Sequence, residues 1–251
     1  MSMSELLLFP MIFLAGLVDS IAGGGGLISL PSYYASGIAA HTALGSNKFS
    51  SSLSTLAASI QYIKNGRVNV PIAIVSGVFS IIGAAIGARL SLLVSGKAIG
   101  LLMIVLIPII AIFSIFKKDF GEVSRQRIFG FPLYALCAVL GLALGAYDGF
   151  FGPGTGTFWI IALSSAVGLD AVQASGTAKL ANLASNIGAL ATFALSGRIN
   201  YTLAVPAALF GIAGGIIGSR LAIKRGAKLI RPMMLGVMAL LLAKIAVDTF
   251  A

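Results

Sequence analysis

The sequence holds little that could do redox, metal or hydrolytic chemistry. It has one cysteine, one histidine and one tryptophan, and Asp and Glu together number 7 of 251 residues. A lone Cys137 excludes an intramolecular disulfide, an all-cysteine metal site and a haem-attachment motif. With His41 as the only histidine, a histidine-rich metal site is excluded as well, and no metal or other cofactor is expected. No Walker motif is present, so this polypeptide does not itself hydrolyse ATP. The absence of HExxH, GxSxG or a paired catalytic set argues against an enzyme. Charged residues make up only 10% of the chain against 58% hydrophobic, where a soluble domain carries about 25% charged and about 45–50% apolar residues. An ordinary soluble domain is excluded.

What the chain has instead is long apolar runs, at 6–22, 27–40, 44–63, 69–94, 98–116, 131–147, 157–168, 174–196, 200–223 and 229–250. Lipid offers no partner to open backbone groups, so each run is expected to be helical. The segment 1–23 has Glu5 and no Lys or Arg ahead of its apolar stretch, unlike a cleaved signal, and reads as a retained first span. Two runs, 27–40 and 157–168, are too short to cross about 30 Å of hydrocarbon at about 1.5 Å per residue. Each follows a glycine cluster, Gly23-Gly24-Gly25-Gly26 in one case and Gly152-Pro153-Gly154-Thr155-Gly156 in the other. Broken helices are expected at both places.

The polar stretch 117–127 separates two halves that match, so two units are expected, 1–120 and 121–251. Aligning 43–90 with 174–221 without a gap gives about 16 identities in 48 positions, against about 4 or 5 expected from such biased composition. Asn65-Gly66-Arg67-Val68-Asn69 recurs as Ser196-Gly197-Arg198-Ile199-Asn200, and Asp19 with its glycines recurs as Asp148 with its own.

The excess of 17 Lys+Arg over 7 Asp+Glu, a net +10, would invite a nucleic-acid reading in a soluble protein. Here the basic residues sit mainly between apolar runs, where they fix orientation, and no nucleic-acid partner is expected. If the short segments cross the bilayer, each half has five spans and the halves are inverted. Lys64, Arg67, Lys117, Lys118, Arg125, Arg127, Arg220, Lys224, Arg225, Lys228 and Arg231 then share one side, with Arg89, Lys97 and Arg198 opposite. If they re-enter instead, the same residues divide evenly. The positive-inside rule therefore favours an all-α polytopic membrane protein of two inverted repeats, five helical segments each, with glycine-broken helices in each repeat and both termini outside.

Two kinds of residue could carry chemistry. The N-terminus of a helix piece after a break has bare amides and about half a positive charge, and glycines let an anion approach that backbone. Gly23, Gly24, Gly25 and Gly26, with Gly152, Gly154, Thr155 and Gly156, are therefore candidate substrate-binding positions. Scattered glycines such as Gly83, Gly87, Gly214 and Gly218 are assigned to tight helix packing. Lys48 and Lys179 occupy matched positions inside their spans. A cation in the middle of a lipid-facing helix costs about 2.5–3.5 kcal/mol, so these lysines face protein or water unless they snorkel. Two cross-repeat pairs follow, Lys48 with Asp148 and Lys179 with Asp19, serving either as structural ion pairs or as alternately opening gates. Ser46, Asn47, Thr177 and Asn182 offer donors to an oxyanion or to neighbouring helices. His41, beside a helix boundary, is expected to be solvated.

These residues resemble one family. Gly16-Leu17-Val18-Asp19-Ser20-Ile21-Ala22-Gly23-Gly24-Gly25-Gly26-Leu27-Ile28, then Gly45-Ser46-Asn47-Lys48, then the Gly-Pro-Gly-Thr-Gly cluster at 152–156, are similar to the sulfite exporter TauE/SafE family over nearly the whole chain. That family is also described as the four-toluene sulfonate uptake permeases. The resemblance implies a multi-pass secondary carrier of the bacterial inner membrane for small sulfur-containing anions such as sulfite, sulfonates or sulfoacetate, with members working in either direction. Ala178 stands where the first repeat has Asn47, so the two half-sites are not chemically equivalent.

The expectation is an alternating-access carrier that works in the lipid bilayer on a small anionic substrate. Coupling to a proton or sodium ion through Asp19 and Asp148, and a homodimer, are carried with it. A passive anion channel or a carrier for a different small organic anion stand as alternatives.

Overall fold

A computed structural model describes residues 3–99, 128–226, 228–230 and 232–233. The linker 117–127 and, beyond their first residues, the runs 98–116 and 229–250 lie outside the described residues. All regular structure among the described residues is helical: α1 Met3–Ala22, α2 Gly26–Ala35, α3 Ala40–Lys64, α4 Val70–Leu93, α5 Phe131–Phe150, α6 Thr155–Ala162 with a π-helical continuation Leu163–Val167, α7 Ala171–Leu195 and α8 Tyr201–Arg225. The interruptions expected at the glycine clusters separate α1 from α2 and α5 from α6.

The repeated Asn65–Asn69 and Ser196–Asn200 motifs are helix-reversal devices. Gly66 (φ +65) and Gly197 (φ +63) take the left-handed conformation that ends α3 and α7. Asn69 and Asn200 then cap the next helices, their side chains accepting from Ile72 N at 3.4 Å and Leu203 N at 3.2 Å. Pro71 sits in the first turn of α4, where its missing N–H is harmless.

Composition sorts these helices into an outer and an inner set. Val70–Leu93, Phe131–Phe150 and Tyr201–Arg225 are long and apolar enough to cross a membrane. α4 exposes Val70, Ile74, Val78, Ile82 and Ile86 at four-residue spacing, an apolar face suited to lipid. By contrast, α3 and α7 carry buried Ser, Thr, Asn and Lys, and pack on each other and on α4 and α8. Their polar groups are kept from lipid by the helices around them.

Ordered contacts give the helix directions. Along α3 and α7, Tyr62 meets Gly176, Lys48 meets Asn186 and Gly45 meets Phe193, so these repeat-related helices run antiparallel. Along α1 and α3, Gly16 lies against Ser54 and Ser20 O accepts from Tyr62 Oη at 2.8 Å, so these two run parallel. The chain between them, through α2, must return the way it came.

Packing between the halves is reciprocal. Gly83 and Gly87 of α4 admit the α5 backbone at Leu142 and Ala146, and Gly214 and Gly218 of α8 admit the α1 backbone at Phe13 and Leu17. These glycines have the packing role assigned to them from the sequence. His41 corrects an expectation. It is only partly exposed, and its Nε2 lies 3.0 Å from both Ser91 O and Val94 O, because the carbonyls ending α4 need a partner that the start of α3 supplies.

Candidate functional site

The two glycine breaks form the floor of the site. Gly23 (φ +78) ends α1, and Gly152 (φ +100) and Gly154 (φ +83) separate α5 from α6. Any side chain is strained in that region. A Cβ on Gly23 would also overlap the backbone of Gly156 and Thr157, so the breaks abut one another. Thr157 Oγ1 donates to Ala22 O at 2.8 Å, satisfying a carbonyl that the end of α1 leaves open. Within the second break, Thr155 Oγ1 donates to Gly152 O at 2.7 Å and Tyr147 Oη to Pro153 O at 2.6 Å.

Both cross-repeat ion pairs form. Lys48 Nζ lies 2.8 Å from Asp148 Oδ1, with side chains 2% and 4% exposed, and Lys179 Nζ lies 2.6 Å from Asp19 Oδ2, with side chains 0% and 16% exposed. Neither lysine snorkels. Lys48 also donates to Asn186 Oδ1 at 3.2 Å, and Asp148 Oδ2 accepts from Ser185 Oγ at 2.7 Å. Asp19 Oδ1 has a long contact with Gly25 N at 3.4 Å.

A cavity of about 40 Å³ lies between these groups. One water needs about 10–15 Å³ on the same measure, so there is room for a few waters or one small oxyanion. The first break lines it with Asp19, Gly23, Gly25 and Gly26, and the second with Asp148, Gly152 and Gly156. The central helices add Asn47, Lys48 and Asn182. Two buried lining atoms, Asn182 Oδ1 and Thr55 Oγ1, have no hydrogen-bond partner.

Other sequence-selected residues stand behind this lining. Lys179 is buried beneath Asp19. Ser46 Oγ accepts from Asn200 N at 2.9 Å and Thr177 Oγ1 from Asn69 N at 3.0 Å, so both hydroxyls hold the caps of the opposite half's helices. Gly154 and Thr155 shape the second break, and Gly24 O accepts from Leu27 N at 3.1 Å in the first. Sequence reasoning passed over Ser51, Ser54, Thr55 and Asn186, which also line the cavity. The signal was available: Asn47, Ser51 and Ser54 follow i, i+4, i+7 spacing, a polar stripe on one helix face.

The site's charges cancel in pairs. Its attraction for an anion therefore comes from oriented dipoles and spare donors. Leu27, Ile28 and Ser29 N of α2 donate to Gly24 O and Gly25 O, and Thr155 N of α6 to Gly152 O, so the positive ends of these helix dipoles meet the cavity at Gly26 and Gly156. Lys48 has three N–H donors, of which Asp148 and Asn186 engage two.

Comparison with known proteins gives the family. The model of the family described as Sulfite exporter TauE/SafE matches residues 8–245. The chain is 35% identical over 243 residues to the Probable membrane transporter protein YfcA of Escherichia coli (strain K12), covering 96% of this chain and 89% of that one. It is 33% identical over 244 residues to the Probable membrane transporter protein ORF9 of a Sinorhizobium species, covering 96% and 92%. A Probable membrane transporter protein of Haemophilus influenzae is 31% identical over 242 residues, covering 96% and 94%. No solved structure matches.

Proposed function

The chain belongs to the TauE/SafE family of membrane transporters, and from that premise we propose that it is a secondary carrier moving a small sulfur-containing oxyanion, of the sulfite, sulfonate or sulfoacetate kind, across the bacterial inner membrane. One observation carries the reading. Two helix breaks, one from each half, meet at a cavity beside Lys48, with two paired carboxylates on its wall. An oxyanion there accepts from the amides at Gly26 and Gly156 and from the free donor of Lys48, in a medium where such dipoles act strongly.

The transport cycle is alternating access between two inverted repeats of five segments each. The antiparallel course of α3 and α7 and the parallel course of α1 and α3 support it, because the second requires the chain to cross back through α2. A proton or sodium ion is the coupling partner, acting at Asp19 or Asp148.

The test is uptake into proteoliposomes of sulfite, sulfate, sulfoacetate, taurine and simple carboxylates under imposed pH gradients. Saturable uptake with counterflow of at least one sulfur oxyanion is expected. Flux without saturation or counterflow would make the protein a channel, and inactivity toward every anion would refute the proposal.

A further inference from the structure

The two ion pairs are related by the repeat, but their surroundings are not equal. In the ungapped register, Ser54 is the counterpart of Ser185, and Thr55 of Asn186. Around Lys48–Asp148 both second-half residues are engaged: Ser185 Oγ donates to Asp148 Oδ2 at 2.7 Å, and Asn186 Oδ1 accepts from Lys48 at 3.2 Å. Around Lys179–Asp19 neither first-half counterpart is. Ser54 Oγ donates to Gly211 O at 2.8 Å, and the Thr55 hydroxyl, 99% buried by its residue's 1% exposure, has no partner. Asp19 is 16% exposed where Asp148 is 4% exposed.

We propose, resting on the carrier reading above, that Ser185 with Asn186 and Ser54 with Thr55 are two clamps that close in turn, each sealing its own ion pair in one of the carrier's two facing states. A buried ion pair is tolerated when the remaining lone pairs and protons are also satisfied. Lys48–Asp148, with Ser185 and Asn186 engaged, comes nearer to that condition than Lys179–Asp19, where Asp19 Oδ1 is reached by Gly25 N at 3.4 Å. If the cavity closes over Asp19, its second oxygen needs a nearer donor than Gly25 N at 3.4 Å and Lys179 needs a further acceptor. Ser54 and Thr55 stand at the positions that supply these in the other half. The orphaned Thr55 oxygen is thereby accounted for as the disengaged half of a switch. Lys48 on α3, Asp148 on α5 and Lys179 on α7 are the charged groups facing Asp19 and its cavity, so the clamps act on a closed set of four charges.

The experiment follows the cavity with a reporter thiol. In a Cys137→Ser background, Ser51→Cys places a cysteine on its wall, and its reaction with a methanethiosulfonate reagent is timed in membranes. Thr55→Val removes the disengaged clamp's acceptor and favours the state seen here, so labelling is expected to rise several-fold. Thr55→Asn gives that clamp the amide of its counterpart, and Asn186→Thr weakens the engaged clamp, so both should slow labelling several-fold. Opposite shifts from two changes at position 55 do not arise from a general loss of folding. Rates unchanged in all three variants, or Val and Asn at position 55 shifting labelling the same way, would overturn the proposal. Uptake of the sulfite, sulfonate and carboxylate panel measured on the unmodified protein separates the two ideas: transport there with flat labelling in the variants removes the clamps and keeps the carrier, whereas opposed labelling with no anion moved by the unmodified protein removes the carrier.

Discussion

Gly23 and Gly156 meet backbone to backbone, leaving no volume for a methyl group on either. Gly23→Ala therefore carries two penalties, the left-handed strain at φ +78 and the separation of α1 from α6. Gly66→Ala, at φ +65 with nothing within 4 Å, carries the first alone, about 1–2 kcal/mol. Thermal unfolding in detergent is expected to fall clearly further for Gly23→Ala, with sulfite uptake abolished. Equal losses would mean that the contact between the breaks is not needed.

The two ion pairs differ in what their loss leaves behind. Asp148→Asn leaves Lys48 on the cavity wall with Asn186 Oδ1 still accepting from it, while Asp19→Asn strands Lys179, 0% exposed and behind the lining. Breaking a buried pair costs about 3–5 kcal/mol, so Asp19→Asn should approach that range and Asp148→Asn should fall below it. The double variant Lys48→Gln with Asp148→Asn removes both charges, and its unfolding temperature should recover much of the loss. Strictly additive single and double effects would show that the two residues act independently.

Ser46 and Thr177 separate binding from architecture. Each hydroxyl accepts the amide of an asparagine cap on the other half, Asn200 for Ser46 and Asn69 for Thr177. Ser46→Ala and Thr177→Val each take the partner from a half-buried N–H, a cost toward the lower end of about 1–3 kcal/mol. Lower stability with an unchanged KM for sulfite is the expected result. A KM raised tenfold at unchanged stability would place the hydroxyls on the substrate instead.

Much of this was legible in the sequence, for physical reasons that also mark where legibility ends. Glycine runs before shortened apolar segments announce helix breaks because few other residues tolerate those dihedrals, and the breaks stand at Gly23 and Gly152–Gly154. Lys48 and Asp148 could be paired because a buried charge needs an opposite one and the repeat limited the choices. Ser54, Thr55 and Asn186 were missed because serine, threonine and asparagine in a membrane helix more often bond their own turn. Ser52 Oγ, for instance, donates to Lys48 O at 2.7 Å. Only three-dimensional placement separates the two uses. Ser46 was selected for the right polarity, but its partner, an amide 154 positions away, has no signature in local pattern.

Orientation gives the last test. Arg89 and Arg220 are repeat counterparts near the ends of α4 and α8, and Lys224 lies one turn beyond Arg220. Gly176 against Arg67 and Gly188 against Ile81 show α4 running with α7, while Ser46 with Asn200 and Ser54 with Gly211 show α8 running with α3. Because α3 and α7 oppose each other, α4 and α8 must end on opposite faces. In the proposed inverted topology the positive-inside rule assigns the basic cluster Lys224, Arg225 and Lys228 to the cytoplasmic face and Arg89 to the opposite one. Reporter fusions after Arg89 and after Lys224, one read by periplasmic alkaline phosphatase and the other by cytoplasmic fluorescence, should give opposite answers. The same answer from both would make the halves parallel, and with that the exchange of roles between Lys48–Asp148 and Lys179–Asp19 would lose its geometric basis.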